Sequence, residues 1–112
     1  MTAPRLNRPL HLEAPKTVSD GAGGHSISWV ELGVLWAALE ALTGREAAGR
    51  GTALSLQRYR ITVRAAAVGA LSRPRPDQRF REGTRLFKID AVAERDASGR
   101  YLTCFATEEL AT

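Results

Sequence analysis

The stretch "SDGAGGHSISWVELGVLWAALEALTGREAAGRG", Ser19 to Gly51, decides the fold, because it holds a long apolar run between two glycine clusters. Glycines beside such a run mean either a phosphate cradle next to a strand or tight turns at the ends of a long strand. The periodicity fits two templates. Trp29, Leu32, Trp36 and Leu39 make a helical stripe, whereas Ile27, Trp29, Gly33, Leu35, Ala37 and Leu39 make one face of a strand. The residue types favour the strand: Ile27, Trp29, Val30, Val34 and Trp36 are β-branched or aromatic, and Gly33 weakens a helix but marks a bend in a strand.

The phosphate alternative fails on spacing. In "GREAAGRGT", Gly44 and Gly49 are separated as a P-loop requires, but Arg50 stands where the lysine must meet the phosphates and Gly51 where a hydroxyl must bind magnesium. Thr52 comes one residue late, and 112 residues leave no room for the usual repeated βαβ units. The alanines and glutamate after Gly44 predict instead a short helix from about Arg45, frayed by Gly49 and Gly51.

Upstream, "MTAPRLNR", residues 1–8, reads as a flexible arm ahead of a single domain over residues 9–112. In "PLHLEAP", Leu10 and Leu12 alternate between prolines, the pattern of a short strand at a sheet edge, and "KTVSDGAGG" has the residue types of a chain reversal. Downstream, "LQRYRITVRA" is a half-buried strand. Tyr59, Ile61, Val63 and Ala65 point one way and Arg58, Arg60, Thr62 and Arg64 the other. "VGALSRPRPDQRFREGT" predicts a long basic loop that orders on meeting a partner, so that deleting residues 72–80 spares the monomer fold. A final hairpin pairs "RLFKIDAVAER" with "RYLTCFATEE" across the turn "DASG". The sum is an all-β or β-rich chain: a small barrel of four to six strands with one short helix, closed because so small a sheet must close or be covered to bury one face.

Composition bounds the function. An apolar fraction of 44% and a charged fraction of 25% are those of an ordinary globular domain. No apolar stretch reaches the length of a membrane span, and residues 1–15 lack the charged-then-apolar pattern of a leader, so the chain is expected to stay in the compartment where it is made. Cys104 alternates with Leu102 and Ala106 and reads as a small buried hydrophobe. His11 and His25 have no partner at metal-ligand spacing, and Asp20, His25 and Ser26 read as a glycine-rich turn rather than a nucleophile set. No residue pattern supports catalysis, a metal or a cofactor.

The net charge of +4 is uneven. Residues 64–88 hold seven bases against two acids, a balance of +5 that leaves −1 for the rest of the chain. Such a segment suits a nucleic acid, an acidic protein or water alone. A free-standing basic barrel that binds nucleic acid is therefore one reading, with Arg58, Arg60 and Arg64 neutralising phosphates and Phe80 among the loop arginines. The plainer alternative pairs those strand arginines with acids such as Asp90 or Glu94 across the sheet.

In chain order, "DGAGGHSISW", "LWAALEALTGRE", "RYRITVR", "GTRLFKIDAV" and "DASGRYLTCFATEE" resemble the head-tail joining proteins of tailed phages, including those of gene transfer agents, from about Leu6 to Leu110. The specificity lies in the order of the motifs, not in any one of them. The resemblance implies a structural virion protein, not an enzyme: a ring of six or twelve copies in the particle's neck, assembled in the bacterial cytoplasm. That ring would join the DNA-filled head to the tail and help to retain DNA, as stopper or head-completion proteins do. It implies as partners a portal-side adaptor, a tail terminator and double-stranded DNA in the channel, with no membrane. By the family layout, Thr43 to Leu54 would face the channel, with Arg45 and Arg50 near phosphates. Arg73, Arg75, Arg79, Arg81 and Arg85 are the candidates for contacts with neighbouring subunits or partners, because head-to-tail rings need two complementary surfaces.

Overall fold

The computed structural model describes residues 3–42, 45–46 and 54–111. Seven strands follow in chain order: β1 Arg8–Ser19, β2 His25–Ala41, β3 Arg45–Glu46, β4 Leu54–Arg64, β5 Arg79–Glu82, β6 Arg85–Glu94 and β7 Tyr101–Ala111. All neighbours are antiparallel, in the order β2-β1-β5-β6-β7-β4-β3. A further pairing of β2 with β4, from Ala37↔Val63 to Ala41↔Tyr59, closes six of the strands into a ring. Closure removes the open edges that so small a sheet would otherwise present.

The ring interior takes one side chain in two from each strand. Leu10 and Leu12 of β1, Ala37 of β2, Ile61 and Val63 of β4, Phe80 of β5, Phe87 and Ile89 of β6 and Leu102, Cys104 and Ala106 of β7 are all buried. Tyr59 meets Phe87 edge to face with centroids 5.1 Å apart. Burial pushes the Cys104 thiol up to about 12, so it behaves as a small hydrophobe.

The run that opened the sequence is a strand throughout, but not a uniform one. Opposite β1, Leu12 pairs with Gly33 and Glu13 with Glu31, so β2 carries one extra residue there. Gly33 sits at the bulge with φ of 152°, which a side chain tolerates poorly. The bulge changes which residues face in. Leu35, Ala37 and Leu39 belong to or pack against the core, whereas Trp29 and Glu31, paired with Pro15 and Glu13, lie on the outer face, as does Ile27.

Three expectations need correction. The helix predicted from Arg45 is absent from the described residues: Arg45 and Glu46 pair as strand with Leu56 and Ser55, and the rest of that segment, 47–53, lies outside them. The first strand does not stop at Pro15 but runs to Ser19, leaving only Asp20 to Gly24 as the turn. There the Asp20 carboxylate accepts the N–H groups of Ala22 and Gly24 at 2.8 and 3.0 Å. The long basic loop is only half a loop. Its second half is β5, joined to β6 by a two-residue turn in which Gly83 takes φ of 62°. Because Phe80 is fully buried, the segment 72–80 is part of the monomer fold and its deletion would not spare it. The first half is also tied down within the chain. Pro74 and Gln78 are buried, the Arg73 guanidinium donates to the Ala66 carbonyl at 2.9 Å, and the Arg75 N–H donates to Gln78 Oε1 at 3.0 Å.

Candidate interaction surfaces

Most of the loop arginines singled out in the sequence spend their charge inside the chain. On β5, Arg79 stands directly across from Glu13, and Arg81 from His11, one position on in β1 beyond Leu12. Both guanidinium groups therefore reach the Glu13 carboxylate, Arg79 at 2.7 Å and Arg81 at 2.9 Å. Glu13 is buried, and burial alone would raise its carboxyl, but hydrogen bonds from Arg81 and Arg79 outweigh that and hold it below the ordinary carboxylate range. Two bonded cations offset the desolvation of one buried carboxylate. Arg81 also approaches Glu31 at 3.6 Å, and Glu31 shares a hydrogen bond with His11.

A second network surrounds the β5–β6 turn. Arg85 grips Glu108 with two bonds, at 2.8 and 3.0 Å, and donates to the Tyr59 hydroxyl at 3.0 Å. Arg8 grips Glu82 with two bonds, at 2.8 and 2.6 Å, and that hydrogen bonding holds the Glu82 carboxyl down. Arg73, as above, is held by a carbonyl, and Arg75 keeps an exposed side chain. The structure thus gathers Arg79 and Arg81 at one carboxylate and Arg85 at another. Arg45 lies on β3 beside β4, and Arg50 is outside the described residues, as are Gly44, Gly49 and Thr52 of the rejected P-loop pattern.

The arginine face of β4 divides. Arg60 pairs with Glu40 at 3.0 Å and lies over the Phe105 ring, and Arg64 lies over Tyr101. Cross-strand pairing therefore occurs, but the acid is Glu40 rather than Asp90 or Glu94. Asp90 instead accepts the Thr107 hydroxyl at 2.6 Å. Among the described residues no cluster of three or more histidines, cysteines and acids is placed to hold a metal ion.

Among the described residues, two surfaces stand out that no other part of the chain covers. The first is an arm. Beyond the point where β1 pairs with β5 at His11 to Glu13, the β1–β2 hairpin continues as two strands alone, and the long dimension of the molecule is 52 Å against 23 Å for the shortest. Val18, Ile27 and Val30 are exposed on it, and Trp29 is pinned at its base under the Arg79 guanidinium, 3.9 Å from the ring centroid. The second is an apolar patch at the edge of the ring. Val34 and Trp36 line a groove with Leu6, Ala65 and Ala66. In the loop after β4, Val68 and Leu71 are also exposed, at 86% and 72%, and Leu71 lines a separate groove with Ala14 and Leu32. Exposed apolar side chains gathered in a groove are the chemistry of an interaction surface.

Sequence reasoning missed the Glu13 and Glu108 hubs, the arm and β5. For β5 a signal existed: a two-residue Gly83-Thr84 step between alternating "RFRE" and "RLFK" is a hairpin signature. For the hubs there was none, because Glu13 and Arg81 are 68 residues apart.

The model for the phage head completion protein family matches residues 1–109. Among solved structures, a chain of "Virion of native gene transfer agent (GTA) particle" is 55% identical, superposes with a TM-score of 0.88, and is matched over 98% of this chain and 100% of its own. No curated protein matches significantly.

Proposed function

Since the chain belongs to the phage head completion protein family and is a structural component of a phage-like virion, we propose that it forms the ring in the neck that joins the DNA-filled head to the tail. In this reading the ring also helps to retain packaged DNA. The observation that carries it is the 55% identity, over essentially the whole of both chains, to a chain of a gene transfer agent virion.

The surfaces suit a ring subunit. A head-to-tail ring needs two different patches per subunit, and the projecting arm and the apolar patch around Trp36 are two such patches. The neighbours are further copies, six or twelve in all, with a portal-side adaptor above and a tail terminator below. Residues 43–54 face the channel, with Arg45 and Arg50 near the phosphates of double-stranded DNA. Arg75, whose side chain is exposed, is the readiest of the proposed contact arginines. Arg73, Arg79, Arg81 and Arg85 contribute through donors left over from their bonds within the chain.

Electron microscopy of particles from a strain lacking the gene tests this, with heads, tails and DNA content scored separately. Free tails beside emptied heads are expected, and tailed, DNA-filled particles would overturn the joining role. Complementation with Arg45→Glu/Arg50→Glu is expected to restore tails but not DNA retention. Full retention would remove those two residues from the channel.

A further inference from the structure

The arm has two edges, and they are treated differently. Pro15, which has no N–H to donate, and Lys16 lie in the β1 half, and both are devices that discourage edge pairing. The β2 half, from His25 where the turn ends to Glu31 just before the bulge, has neither. Over those residues β2 pairs with β1 on one side only, since its contact with β4 begins at Ala37. Seven residues of strand edge are therefore open, and Ile27 is 65% exposed on them. A two-stranded ribbon with exposed apolar residues is marginal by itself and gains by adding a strand.

The sequence of that edge is complementary to itself. Its midpoint is Ser28, so a second copy laid antiparallel about Ser28 sets Ile27 against Trp29 and Ser26 against Val30, each twice. At the ends His25 meets Glu31, an oppositely charged pair when the imidazole is protonated, and no like charges are opposed. Aromatic and β-branched residues directly opposed are favourable cross-strand pairs. The turn and the bulge limit the open strand to the seven residues that share this midpoint.

We propose that free chains pair through this edge, residues 25–31 of one copy against residues 25–31 of another, as a two-fold dimer with Ser28 on the axis. A two-fold contact cannot propagate around a head-to-tail ring. The dimer is thus a state of the unassembled protein, covering an edge that would otherwise aggregate, and it opens when a subunit enters a particle.

The test uses the purified full-length chain in solution, so its outcome is independent of the neck role. Sedimentation velocity is expected to show a concentration-dependent dimer, and Ile27→Lys, a change at an exposed position, is expected to weaken it about tenfold or more, since two pairs are lost at once. Ser28→Cys is expected to form a disulfide-linked dimer under mild oxidation. Ser98→Cys, in the exposed turn between β6 and β7, is expected to form no such cross-link under the same conditions. The native thiol, Cys104, is buried and does not interfere. A monomer at every concentration overturns the proposal. So does a dimer that Ile27→Lys leaves unchanged, or one in which Ser28→Cys cross-links no faster than Ser98→Cys.

Discussion

Strands β1 and β2 are paired along their whole common length, yet their two halves differ in kind. In the ring, Leu10, Leu12 and Ala37 are fully buried and each strand has a second partner. In the arm, the same two strands have no second partner among the described residues and carry Val18, Ile27 and Val30 in the open. The division falls at the bulge by Gly33 and at the Glu13 hub, where Arg79 holds both the carboxylate and the Trp29 ring. One hairpin thus supplies a self-sufficient wall and a projection that the rest of the described chain leaves uncovered. What distinguishes them is the third strand, since the chain stays β through Pro15 and Lys16 in the arm as it does in the ring.

The largest effect is expected where the ring depends on a single side chain. Phe80→Ala empties the interior contribution of the four-residue strand β5 and should cost about 3–5 kcal/mol in urea denaturation. A cost under about 1 kcal/mol would mean that β5 is decoration and that the ring closes without it. Next comes the hinge between the regions. Glu13→Gln leaves two guanidinium groups without their carboxylate and should cost about 1–3 kcal/mol, less than a fully buried pair because Arg81 is 34% exposed. The same carboxylate makes a signed pH prediction. Its folded value lies below its unfolded one, as does that of Glu82, so each contributes stability above the ordinary Glu range of about 4.3, and that stability is lost as pH falls through the folded values. Stability against pH should therefore drop on the acid side, and more shallowly in Glu13→Gln; identical acid limbs would show that the carboxylate titrates normally. The smallest effect belongs to the arm. Ile27→Thr, measured on dilute protein, should shift stability by less than about 0.5 kcal/mol, and a larger loss would mean that the arm packs on the body.

Much of the ring could be read directly. Alternation placed Ile61, Val63, Leu102 and Cys104 inside and Arg58, Arg60 and Arg64 outside, because a period of two is a local property of the backbone. Turn residues located one reversal within Lys16 to Gly24, of which Asp20 to Gly24 is the turn, and another at Asp96 to Gly99, where the Ser98 hydroxyl donates to the Asp96 carboxylate at 2.8 Å. The order of the motifs pointed to head-tail joining proteins, and the family match agrees. The basic segment was read less well. Prolines and charge made residues 68–85 look like a loop waiting for a partner, but Arg79, Arg81 and Arg85 find their carboxylates at home, and Arg73 a carbonyl.

By itself, then, the sequence determined an all-β or β-rich chain that must close or be covered, the inward and outward faces of its central strands, its tight turns and its family, all of which rest on spacing along the backbone. Only the tertiary structure decided which six strands close the ring and in what order, that Arg45 and Glu46 are strand rather than helix, that a bulge at Gly33 reverses the facing of β2, and that Glu13 and Glu108 absorb the arginines. It also decided that half of one hairpin projects uncovered. Each of these depends on which distant segments become neighbours, and pairing between residues tens of positions apart leaves no periodic trace in the chain.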